Sequence, residues 1–151
     1  NFNSGGQLTS LPDGSFDTSG LTIARDNAFY YFNNGGSLTS LPAGSFDTSN
    51  ITAVGKNFFV CFNARGSIVT LPAGSFRFDS LTTVSSGFFT AFNSGGALTS
   101  LPAGSFNTET ITTVGDYFFS EFSNISSTSE IASLYSTLII LIPFFTIFNL
   151  F

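Results

Sequence analysis

The sequence predicts a mainly-β chain: a solenoid of stacked 30-residue coils with short helical turns, followed by a C-terminal hydrophobic helix. Three observations predict it. The phrase Leu-Thr-Ser-Leu-Pro-Ala-Gly-Ser-Phe stands at 38–46 and again at 98–106, with close variants at 8–16 and 68–76. No copy shows helical spacing of apolar residues for more than a turn or two. And the apolar side chains of one copy stabilise less than the entropy of ordering its backbone costs, so a lone unit should not fold.

The spacing of 30 extends beyond the phrase. Phe2, Phe32, Phe62, Phe92 and Phe122 fall in step, as do Leu11, Leu41, Leu71 and Leu101. The same holds for Pro12, Pro42, Pro72 and Pro102, and for Phe16, Phe46, Phe76 and Phe106. A fixed period in this range marks a solenoid, propeller or array. The repeat region is 1–127, with units at 8–37, 38–67, 68–97 and 98–127 and residues 1–7 closing a preceding unit. Residues 128–151 form a separate hydrophobic segment.

Within unit two, Leu38–Leu41 and Ile51–Val54 are short β-prone pieces separated by turn-type residues. Pro42 lacks an N–H and should end the first piece, and Gly44 allows a sharp turn. The segment from Lys56 to Phe62 is expected to form one helical or 3₁₀ turn that directs its Phe side chains inward. Stacked copies would then share layers of Phe and Leu and pair strand on strand. Phe16, Phe46, Phe76 and Phe106 are expected in single file along the stack. Asn3, Asn33, Asn63 and Asn93 admit two readings. Their amides form a ladder that satisfies neighbouring turns, or Asn simply tolerates a left-handed backbone beside Gly.

Composition narrows the function classes. Charge is sparse, with four basic and nine acidic residues and a net charge of −5. Nucleic-acid binding needs clustered Lys and Arg, so no nucleic-acid partner is expected. Without His and with one Cys, the usual zinc, haem and iron–sulfur ligand sets cannot be assembled, nor can a Ser-His-Asp triad. No catalytic, cofactor or metal residue is therefore assigned.

Asp17, Asp47, Asp79 and Glu109 read as solvated turn formers rather than a calcium row, because the last two are out of step and Arg77 intervenes. Thr22, Thr52, Thr82 and Thr112 form a column suited to cross-strand pairing or to a flat hydroxyl ladder that orders water. Gly35-Gly36 and Gly95-Gly96 lack the Lys-Ser/Thr of a phosphate loop. Cys61 aligns with Tyr31, Ala91 and Glu121, which marks its thiol as incidental; an intermolecular bridge is the alternative. Asn50-Ile51-Thr52 and Asn124-Ile125-Ser126 are sequons of the kind expected by chance at this composition.

The segment Leu98-Thr-Ser-Leu-Pro followed by Ile111-Thr-Thr-Val-Gly-Asp-Tyr-Phe-Phe resembles the leucine-rich repeats of BspA-type bacterial and protist surface proteins. The matching positions are Leu98, Leu101, Pro102, Ile111, Val114, Gly115, Phe118 and Phe119. Phe-Asp-Thr-Ser-Asn-Ile-Thr at 46–52 is similar to related surface repeats. The chain departs from the family in its 30-residue period, in carrying the late Cys of the repeat only as Cys61, and in using Phe for much of the Leu. The resemblance implies a leucine-rich-repeat-like solenoid and a non-enzymatic extracellular or cell-surface protein acting in adhesion or as a binding scaffold. Its ligand would be a protein or a glycan. The alternative is a structural subunit that self-assembles into a filament or sheath through uncapped ends.

The two ends carry their own expectations. Asn1 falls in mid-unit, which suits a piece of a longer chain or an edge open to another copy. Residues 131–151 hold no charge and as a helix would be about 30 Å long, a bilayer core. A transmembrane anchor, a lipid-anchor signal and a hydrophobic cap are the competing readings.

Overall fold

The computed structural model describes residues 1–121 apart from Gly104, Phe106 and Phe119. The expected C-terminal hydrophobic helix therefore lies outside the described residues, as do Phe106 and Phe122. The described chain is strand-rich and non-helical. Its strands are β1 (Ile23–Ala24), β2 (Ala53–Val54), β3 (Thr83–Val84) and β4 (Thr113–Val114). β1 pairs with β2 and β3 with β4, both parallel, with Ile23 opposite Ala53 and Thr83 opposite Thr113. Both strand pairs join residues 30 apart.

These strands are short for a reason visible in their side chains. Ile51 is buried, Thr52 and Ala53 are both exposed, and Val54 turns in again. A regular strand alternates faces at every residue. Two successive outward residues break that alternation and bend the chain, so the ladder ends after two residues. The Leu38–Leu41 piece repeats the pattern, inward at Leu38 and Leu41 and outward at Thr39 and Ser40. It forms no strand, but its backbone still bonds across units, Thr39 N–H to the Thr9 carbonyl at 3.2 Å and Val69 N–H to the Thr39 carbonyl at 3.0 Å.

The segment expected as a helical turn is something else. Among the described residues there is no α- or 3₁₀-helix. Residues 56–66 form a run of overlapping β-turns, with Phe62 N–H to the Phe59 carbonyl at 3.1 Å, Ala64 to Cys61 at 3.3 Å and Gly66 to Asn63 at 2.9 Å. The intervening N–H groups point out of the unit. Asn57, Phe59, Cys61 and Arg65 donate to the carbonyls of Ser86, Phe88, Thr90 and Ser94, at 2.9–3.0 Å. A helix would have consumed those donors internally.

The left-handed backbone makes the difference. Asn57, Cys61, Asn63 and Arg65 have φ of 52–56°, and their counterparts in neighbouring units repeat it. Such positions cost non-glycine residues on the order of 1–2 kcal/mol. Here each turns an N–H toward an adjacent unit: Asn63, for example, donates to the Phe32 carbonyl at 2.7 Å. At Gly44, φ is 80°, the turn after Pro42. Gly66 answers a second need, because a Cβ there would collide with the Asn33 carbonyl oxygen and with Asn63 Oδ1.

The core is mostly phenylalanine. Phe46, Phe58, Phe59, Phe62, Phe76, Phe78, Phe88, Phe89 and Phe92 are fully buried, with Leu38, Ile51, Ile68, Leu81 and Leu98 beside them. Along the stacking direction rings lie nearly parallel: Phe32 over Phe62 at 5.1 Å and 7°, Phe62 over Phe92 at 4.9 Å and 7°, Phe59 over Phe89 at 5.5 Å and 5°. Across columns they meet edge to face, Phe59 with Phe76 at 4.9 Å and 88°, and Phe46 with Phe62 at 5.1 Å and 84°. Both arrangements suit the ring quadrupole. The ring spacing of about 5 Å is close to the separation of paired strands, so one period serves backbone and side chains alike.

Candidate binding surface

The columns named from the sequence can be placed directly. Phe16 and Phe46 have ring centroids 4.9 Å apart and Phe46 and Phe76 5.3 Å apart. Phe106 lies outside the described residues. Phe46 and Phe76 are both left-handed, at φ 57° and 61°, whereas Phe16 is not. Phe76 N–H bonds the Phe46 carbonyl at 2.9 Å, while next to Phe16 an antiparallel bridge joins Asp17 to Ser45 instead.

The asparagines are bonded amide to amide. Asn3 Nδ2 donates to Asn33 Oδ1 at 2.8 Å, Asn33 to Asn63 at 2.9 Å and Asn63 to Asn93 at 2.8 Å. Each also closes its own turn. Asn63 Nδ2 donates to the Ile68 carbonyl at 3.0 Å, and Asn63 Oδ1 accepts from Ile68 N–H at 3.1 Å. Their φ values run from 49° to 54°. Left-handed tolerance and the amide ladder, two readings that competed in the sequence, describe the same residues at once.

Sequence reasoning missed two further sets. Asn27 and Asn57 make a second, exposed amide pair, Asn57 Nδ2 to Asn27 Oδ1 at 3.2 Å. Thr18 and Thr48 point inward and donate to the carbonyls of Asp47 and Arg77, at 2.9 and 2.5 Å. Phe78 replaces this Thr in unit three and packs against Phe88 at 5.3 Å. The signal for the threonines was available: the same residue type, always directly after the residue that follows the core Phe, in three of four units.

The outward surface is built from the paired positions between inward residues. Thr22, Thr52, Thr82 and Thr112 are exposed, with Ile23, Ala53, Thr83 and Thr113 beside them. Their hydroxyls do not pair with one another. Thr52 Oγ1 donates to the Thr22 carbonyl at 3.2 Å and Thr112 Oγ1 to the Thr82 carbonyl at 3.3 Å. That fixes a side chain already limited to few rotamers. The result is an uncharged face of methyl groups and hydroxyls, in which Thr52 and Thr112 are held by the adjacent unit's backbone.

Asp17 and Asp47 serve turns, whereas Asp79 accepts from Arg77 and from Asn107 Nδ2, and Asp26 from the Lys56 N–H of the next unit. Asp17 Oδ1 accepts from Ser19 N–H at 2.8 Å, and Asp47 Oδ1 from Ser49 N–H and Oγ at 3.1 and 2.6 Å. The Ser19 hydrogen bonds hold the Asp17 carboxyl below the usual range. Burial pushes the Cys61 thiol up, the Glu121 carboxylate adds to this, and a hydrogen bond with Tyr31 opposes it. Among the described residues no group of His, Cys, Asp or Glu is placed to hold a metal ion, and no helix is long and apolar enough to cross a membrane.

Comparison with protein-family models, with curated proteins and with solved structures finds no match.

Proposed function

We propose that this chain is a leucine-rich-repeat-like solenoid that acts, without catalysis, as a binding or adhesion scaffold outside the cell. The observation that carries the reading is the exposed threonine face. Its side chains are uncharged and repeat at the period of the backbone. Thr52 and Thr112 are fixed by bonds to the adjacent unit's carbonyl. A face ordered in advance loses little side-chain entropy when it meets a partner, and a broad concatenated surface suits an extended protein or glycan ligand. The uncharged 131–151 segment fits attachment to a membrane in the same reading.

Electron microscopy of the purified protein, joined to binding measurements on immobilised host-surface glycans and proteins, tests this. Dispersed short rods that bind, and lose binding when Thr52 and Thr82 are changed to Lys, are the expected result. Long fibres with a regular axial repeat, and no binding sensitive to those changes, would replace the scaffold with a self-assembling structural subunit.

A further inference from the structure

We draw no further inference here: the strongest candidate, the second outward face on which the exposed Thr9, Ser10, Thr39, Ser40, Thr70 and Ser100 stand along the stack, is a stripe of small side chains, and nothing in the structure shows what covers it.

Discussion

Replacing Asn63 by Leu tests whether the buried amides hold the units together. The change keeps the approximate volume and removes four hydrogen bonds at once. Ile68 then has a buried N–H and carbonyl that have lost their side-chain partner, at about 1–3 kcal/mol for each group left unsatisfied. Asn33 Nδ2 and Asn93 Oδ1 each lose one partner and keep another, Leu38 and Leu98 respectively. A branched side chain at φ 52° adds about 1 kcal/mol of strain over Asn. Better burial of hydrocarbon offsets part of this, and the net loss should be about 3–5 kcal/mol. Native domains have about 5–15 kcal/mol in total, so the variant should lose a large fraction of its stability and unfold at clearly lower denaturant than the parent. The assay is denaturant unfolding followed by circular dichroism, with Asn57→Leu as the control. Asn57 has the same backbone conformation but an exposed amide bond, so its loss should stay near 1 kcal/mol. A loss below about 1 kcal/mol for Asn63→Leu, equal to the control, would refute the reasoning.

Asn63→Asp should be pH-sensitive: a buried carboxylate facing the Ile68 carbonyl and Asn93 Oδ1 is repelled, so its folded pKa rises above the unfolded value, and the folded state holds the proton more tightly. Stability of this variant should therefore fall as pH rises from the unfolded pKa through the folded one, the reverse of an ion-paired acid, as seen in melts across that range. Phe59→Ala should cost about 3–5 kcal/mol, because the fully buried rings of Phe62, Phe76 and Phe89 pack against the side chain that is lost. Arg65→Gly should stabilise by about 0.5–1 kcal/mol, since Arg65 sits at φ 52° where other units carry Gly35 and Gly95; a lower melting temperature would count against this. Cys61 should react with thiol reagents several-fold more slowly at neutral pH than a free thiol does, with Glu121→Gln speeding it modestly.

The 30-residue spacing and the inward positions were legible because identical apolar residues recur at fixed intervals, and the physics of shared burial is blunt enough to read from letters. The turn run was not. Phe58, Phe59 and Phe62 stand at i, i+1 and i+4, a spacing that one helical turn and two successive β-turns satisfy equally well. The deciding residues are those at alternate positions, Asn57, Cys61, Asn63 and Arg65. Only two of them are Asn, the residue type that announces a left-handed backbone; Cys and Arg hide it. Reading the units against one another would have helped, since Gly87 stands where Asn57 does and Gly95 where Arg65 does. The ion pair of Arg77 was less accessible still. Nothing in the letters says that Arg77 turns to Asp79 rather than to Asp47, a choice between two carboxylates made by side-chain geometry alone.

The amide column has a direction. In the three amide bonds among the described residues, Asn3, Asn33 and Asn63 each give Nδ2 to the Oδ1 of the unit that follows, and none is reversed. Such a chain of aligned dipoles polarises cumulatively, and it distinguishes up from down. A unit inserted the wrong way round would set hydrogen against hydrogen at one junction and lone pair against lone pair at the other. A further copy keeps the column bonded only if it faces the way its neighbours face.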